Sequence, residues 1–229
     1  MPVSRRFVAL GLPVLLGGCV SARPAPMAYT AARRASLEPQ YYDMYAELDD
    51  EPFPVPAVDI DGIDPRYLRQ PVAYTGPERP GTIVINPNQK FLYLVQDGGR
   101  AMRYGVGVGR EGFGWHGNAT IKRKAEWPTW TPPSTMIMRQ PELEEYASGM
   151  PGGPDNPLGA RAMYLYQGDR DTLYRIHGTI EPQTIGTRVS SGCIRLINQD
   201  VIDLYRRVST GTRVVVLSGG GGGEGDEFS

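Results

Sequence analysis

Glycine and proline interrupt this chain so often, 29 and 21 times in 229 residues, that loops and strands are favoured over long helices. The residues between the interruptions agree. Thr82 to Asn86 and Phe91 to Gln96 are β-rich runs separated by the turn cluster Asn86-Pro87-Asn88, and Arg100 to Val106 follows Asp97-Gly98-Gly99, which predicts a meander. Further strands are expected over Thr120 to Trp127, Arg161 to Tyr166 and Leu173 to His177. In the last of these, alternation sends Tyr174 and Ile176 to one face and Leu173, Arg175 and His177 to the other. One helix is expected, with Asn198 as N-cap, Asp200 in its first turn, Val201, Leu204, Tyr205 and Val208 at helical spacing, and Gly211 at its end. Thr212 to Leu217 reads as a buried strand. The fold class is mainly β with a few short helices.

A chain of this length carries one domain plus extensions more readily than two full domains. Residues 1–19 read as a targeting segment. Arg5 and Arg6 precede an apolar run from Phe7 to Leu16 that is too short to span a bilayer, and Leu16-Gly17-Gly18-Cys19 closes it. Residues 20–78 are expected to be a tether with local structure. Tyr41, Tyr42, Tyr45 and Leu48 fall at helical spacing there, and Asp49-Asp50-Glu51 reads as a solvated acidic face. Residues 79–217 form the expected catalytic domain, and 218–229 a flexible glycine-rich tail. With 24 basic and 25 acidic residues, the chain lacks the charge footprint of a nucleic-acid binder.

The chemistry concentrates in His177-Gly178-Thr179 and Ser190-Ser191-Gly192-Cys193-Ile194-Arg195. A thiol attacking a carbonyl needs a base, an exposed bend and backbone N–H groups aimed at the developing oxyanion. His177 is the natural base, Gly192 permits the bend before Cys193, and the N–H groups from Ser191 to Cys193 are candidates for the oxyanion hole. The only cysteines are Cys19 and Cys193. A lone thiol in an exported protein is a liability unless its reactivity is wanted. Two histidines and no cluster at ligand spacing argue against a metal site, and no cofactor is expected, since Gly105-Val106-Gly107-Val108-Gly109 is weak evidence for a nucleotide loop.

The pair His177-Gly178, followed by Ser190-Ser191-Gly192-Cys193 and Arg195, resembles the L,D-transpeptidase family of bacterial cell-wall enzymes. Trp127-Pro128-Thr129-Trp130-Thr131-Pro132-Pro133 and Asn156-Pro157-Leu158-Gly159 extend the resemblance over residues 80 to 217. It implies a β-sandwich-like catalytic domain with Cys193 as nucleophile and His177 as general base and acid, oriented through a backbone carbonyl at Gly178 or a neighbour. It further implies acyl transfer between peptidoglycan peptide stems, with loss of a terminal D-alanine and acylation of Cys193 by carbapenems. The family often carries His where this chain has Ser191. Hydrolysis of the same bonds by a carboxypeptidase or endopeptidase, and an inactive wall-binding anchor, are the competing readings. A wall-attached protein is a further acceptor to consider. Arg195 is read either as a fork for a substrate carboxylate or as a tie on the cysteine loop. Trp127, Trp130 and Tyr146, in the Pro- and Gly-rich stretch from 128 to 157, are read as closing over a stem or as pinning that loop. Leu16-Gly17-Gly18-Cys19 resembles the lipobox of bacterial lipoproteins, which implies a periplasmic protein anchored by lipid on Cys19, with Val20 favouring the outer membrane.

Overall fold

The computed structural model describes residues 37–109, 115–189 and 193–218. Eleven strands form one sheet: β1 (Gln70–Ala73), β2 (Ile83–Asn86), β3 (Phe91–Gln96), β4 (Arg100–Gly105), β5 (Gly107–Gly109), β6 (Gly117–Glu126), β7 (Arg161–Gln167), β8 (Arg170–His177), β9 (Arg188–Val189), β10 (Ile194–Arg195) and β11 (Arg213–Val216). Their order is β1-β4-β3-β2-β11-β6-β7-β8-β10-β5-β9. Among the described residues three short α-helices accompany them, α1 (Pro39–Met44), α2 (Ser134–Ile137) and α3 (Asn198–Arg207). The mainly β class expected from the sequence is the observed one.

The expected meander is β2, β3 and β4, paired antiparallel. Its turn is built by Asn86, whose Oδ1 accepts from the N–H groups of Asn88 and Gln89 at 3.1 Å each. One face of the sheet packs on α3. Ile83, Ile85, Leu92, Leu94, Ile121, Met163, Leu165 and Ile176 meet Val201, Leu204 and Val208 there. Lys124 closes the far end of α3 by donating to the carbonyls of Tyr205 and Val208, at 2.7 and 2.6 Å. The helix therefore ends at Arg207 and not at Gly211, which instead takes a left-handed turn (φ 93°) before β11. Nor is Asn198 the N-cap. Ile197 holds that position without a side-chain cap, and the Asn198 carboxamide is turned elsewhere.

Residues 37–78 do not hang free of the sheet as a tether. Tyr45, Ile60, Ile63, Tyr67 and Leu68 are buried against Val84, Phe91, Tyr93 and Val95, the residues of β2 and β3 that point away from α3. Both faces of these strands are thus covered, which is why Phe91-Leu92-Tyr93-Leu94-Val95 lacks polar alternation. Gln199 holds the cover, its Nε2 lying within hydrogen-bond distance of the carbonyls of Tyr45, Ala46 and Pro56. The acidic run is likewise not all solvated, because Glu51 is buried and one Nη2 of Arg161 lies 2.7 Å from each of its carboxylate oxygens.

Candidate active site

A distortion in β8 sets the site. The register with β7 shifts between Tyr164 and Tyr166, and Leu173 adopts a left-handed conformation (φ 65°) that a leucine seldom takes. Local hydrogen bonds hold it: Asp171 accepts from the Leu173 N–H at 2.8 Å, Thr172 Oγ1 donates to the Leu165 carbonyl at 2.6 Å and accepts from the Tyr174 N–H at 3.1 Å. The regular pleat is therefore broken at Leu173, although its side chain, 74% exposed, is kept out of the core as the expected alternation requires. Beyond the bulge it resumes. Tyr174 packs on the core and stacks on Trp115 with centroids 5.0 Å apart, Ile176 is fully buried, and Arg175 lies over the Tyr164 ring, paired with Asp171.

His177 ends β8 and is 4% exposed. Its Nδ1 lies 2.7 Å from the Gly178 carbonyl oxygen. A carbonyl only accepts, so the proton of the neutral ring sits on Nδ1 and Nε2 keeps its lone pair. Burial pulls the His177 pKa down to about 4; the Gly178 carbonyl opposes this, while the nearby Arg195 and Arg175 charges add to it. At neutral pH the imidazole is an uncharged base.

Strand β10 runs parallel to β8, with Ile194 opposite Ile176 and Arg195 opposite His177. The Leu196 N–H donates to the His177 carbonyl at 2.8 Å. Cys193 immediately precedes this strand, so the pairing carries the thiol to the strand that bears the imidazole. The Cys193 carbonyl accepts from the Gly109 N–H at 3.3 Å, and its Sγ donates to the Leu173 carbonyl at 3.5 Å. The bulge thus presents a carbonyl to the thiol. β5 flanks β10 on the other side, so Gly107-Val108-Gly109 forms a buried strand and not a nucleotide loop. Gly107 is there for closeness, since a Cβ on it would stand 3.1 Å from the Thr184 carbonyl oxygen.

Arg195 pairs with Glu181 at 3.2 Å, which joins β10 to the turn after Thr179. Trp127 is tied to the N-terminal cover. It is left-handed (φ 42°), its indole donates to Glu51 at 3.3 Å, and Phe53 packs edge-on against its ring. Trp130 exchanges backbone hydrogen bonds with Met150 at the base of the 128–157 loop. Tyr146 closes a 3-10 turn over Pro141–Tyr146 farther out. The loop base is stapled by Asn156, fully buried, whose amide lies within hydrogen-bond distance of the carbonyls of Pro128, Met150 and Pro151. Of the expected site residues, the structure sets Gly178 and Arg195 beside His177 and places Cys193 at the entry to the neighbouring strand with its Sγ against the Leu173 carbonyl, whereas Trp127 contacts Glu51 and Phe53 of the N-terminal cover and Trp130 pairs with Met150 at the loop base. Ser191, Gly192 and Cys19 lie outside the described residues. Sequence reasoning missed Leu173, Asn156, Glu51 and Asn198. A cleft of about 200 Å³ opens beside the site, lined by Val55, Trp127, Thr179, Ile180 and Asn198 among others.

With this geometry in place, the family follows. The YkuD family model, the L,D-transpeptidase catalytic domain, matches residues 80–216. The chain belongs to the L,D-transpeptidase family. It is 38% identical over 142 residues to the probable L,D-transpeptidase ErfK/SrfK of Escherichia coli, covering 61% of this chain and 44% of that one. It is 40% identical over 136 residues to the probable L,D-transpeptidase YbiS of the same organism, covering 58% and 43%. The chain thus spans less than half the length of these relatives. A solved Brucella melitensis structure, described as a probable carnitine operon oxidoreductase, is 54% identical, with 69% of this chain and 99% of that one covered and a TM-score of 0.48.

Proposed function

We propose that this protein is a cysteine acyltransferase that cross-links peptidoglycan stems. The observation carrying the reading is the His177 ring, buried, uncharged and held by the Gly178 carbonyl, on the strand that pairs with the segment entered by Cys193. Cys193 Sγ attacks the carbonyl carbon ahead of a terminal D-alanine, and its proton passes to His177 Nε2. Backbone N–H groups around Cys193 stabilise the oxyanion. The C–N bond breaks as His177 returns that proton to the departing D-alanine amine, leaving a thioester. An amine of a second stem then attacks the thioester, gives its proton to His177 and releases the thiol, to which the proton returns.

The resting imidazole is neutral and so free to take a proton, and the Cys193 Sγ lies 3.5 Å from the Leu173 carbonyl oxygen. Proton transfer then accompanies attack. Arg195, next to His177 and paired with exposed Glu181, suits a substrate carboxylate that displaces Glu181. The reading extends to a periplasmic, lipid-anchored protein, tested by membrane fractionation of Cys19→Ala; unchanged fractionation counts against the anchor.

The test of the reaction is mass spectrometry of products from the full chain and a disaccharide tetrapeptide, with Cys193→Ala alongside. Release of D-alanine only with the intact thiol, together with a cross-linked dimer, is the expected result. A lone tripeptide would make water the acceptor and the enzyme a hydrolase. Absence of both D-alanine and an acyl-enzyme mass would sink the acyl-transfer reading.

A further inference from the structure

We propose that Asn198 is a positioning residue for His177, acting through the peptide of Gly178. The proposal rests on the reading of His177 as the general base. Asn198 opens α3, yet its side chain does not cap the helix. Its Oδ1 instead accepts from the Ala160 N–H at 3.0 Å. The same oxygen sits 2.2 Å from where a Cβ would stand on Gly159, and 2.2 Å from where one would stand on Gly178. Both positions therefore exclude any side chain while the carboxamide stays in place. Gly159 has a second reason to be glycine, its left-handed backbone (φ 61°); among the described glycines Gly178 has no positive φ, so close approach is what restricts it.

Three segments consequently meet at one point: Gly159-Ala160 leading into β7, Gly178-Thr179 leaving β8, and the first residue of α3. A Cβ on Gly159 would stand 2.8 Å from both the Gly178 carbonyl carbon and the Thr179 nitrogen, so the peptide that faces His177 is itself part of the contact. The preceding peptide, His177–Gly178, is fixed in turn by the Gly178 N–H, which donates to the Arg161 carbonyl at 3.1 Å. With the peptide wedged in this way, its carbonyl oxygen stays aimed at His177 Nδ1. If it turns away, the ring loses the partner that keeps its proton on Nδ1. An Nε2–H ring has no lone pair on Nε2 with which to take the thiol proton.

The test uses the full chain with Asn198→Ala and Asn198→Asp. Aspartate keeps an acceptor oxygen for the Ala160 N–H; alanine does not. Nitrogen-15 NMR of the imidazoles reads the tautomer directly, and with only two histidines in the chain His116→Gln assigns the spectrum. The expected wild-type pattern is Nδ1–H at His177, a mixture of tautomers in Asn198→Ala, and recovery of Nδ1–H in Asn198→Asp. D-alanine release should fall about tenfold or more in kcat for Asn198→Ala with KM within about twofold, while Asn198→Asp stays within about threefold of wild type. An Nε2–H ring in the wild-type protein overturns the proposal without any variant, which covers the case in which Asn198→Ala does not fold. So does an Asn198→Ala protein that loses thermal stability but keeps both its tautomer and its kcat, since that is a purely structural role. If His177→Gln retains full activity, the general-base reading fails on its own, and the tautomer spectra still report whether Asn198 holds the ring.

Discussion

The pocket around His177 and the pocket around Asp200 are both closed to water, with 4% and 0% of each residue exposed. Their partners differ. His177 has a backbone carbonyl on Nδ1 and two arginine charges nearby, and burial pushes its pKa down to about 4. Asp200, on α3 beneath the N-terminal cover, receives the Tyr45 hydroxyl at 3.1 Å and has Arg69 3.8 Å away, yet its Oδ1 has no hydrogen-bond partner among the described residues. Burial outweighs the two helpers and pushes Asp200 up to about 7. Desolvation thus keeps the proton off one group and favours it on the other, so that both are uncharged between about pH 4 and pH 7. In the site region this supplies a base. Under the cover it supplies a joint between α3 and residues 37–78.

The largest effect is expected where neutrality serves chemistry. His177→Gln should lower D-alanine release by about 10²- to 10⁴-fold, the usual contribution of a general acid–base group, as read by product mass spectrometry. The second belongs to the cover. Glu51→Ala leaves the buried Arg161 guanidinium without its carboxylate, and a broken buried pair costs about 3–5 kcal/mol. Denaturant unfolding should show that loss. A loss below about 1 kcal/mol would mean that Arg161 finds water or Glu126, 3.9 Å away, as a replacement.

How far the sequence revealed these two regions follows from what each depends on. β2, β3, β7 and β11 were legible because their apolar runs are local and bounded by turns. β5, β9 and β10 were not, since strands of two or three residues exist only through their neighbours, and Gly107-Val108-Gly109 carries no pattern of its own. Residues 37–78 read as a tether because their apolar residues are scattered among prolines and acids. The signal lay instead in Phe91 to Val95, a run apolar on both faces that requires two covers. At the site, His177 and Cys193 came from the chemistry of the residues themselves, and a backbone carbonyl near Gly178 from the resemblance. The bulge at Leu173 had no such marker, because it is a mismatch between β8 and β7 and not a property of either.

The third prediction turns the opposite pKa shifts into opposite slopes. Between about pH 4 and 6.5 the unfolded chain binds a proton at His177 that the folded chain refuses, so this group makes stability rise with pH. Between the ordinary aspartate value and about pH 7 the folded chain holds a proton at Asp200 that the unfolded chain has lost, so this group makes stability fall with pH. Over the shared window the two cancel. Asp200→Asn should uncover a rise of about 1.4 kcal/mol per pH unit, and His177→Gln a fall of the same size, in unfolding free energies measured from pH 4 to 6.5. Equal slopes in both variants would show that the cancellation is not between these groups.

The smallest effect tests whether the two pockets are independent. The Tyr45 hydroxyl accepts from the Arg69 N–H at 2.7 Å while donating to Asp200, so Tyr45→Phe removes one partner from each. The stranded groups should cost about 1–2 kcal/mol in unfolding free energy. Because the Tyr45 hydrogen bond favours the carboxylate, its loss should also move the Asp200 titration upward, which side-chain carboxyl NMR reads directly. His177 should not respond, since its shift is set by its own burial, the Gly178 carbonyl, Arg195 and Arg175, none of which touches Tyr45 among the described contacts. A His177 tautomer or titration that moved with Tyr45→Phe would join the two pockets through α3, whose Asn198 meets Gly178 and whose Asp200 meets Tyr45 two residues later.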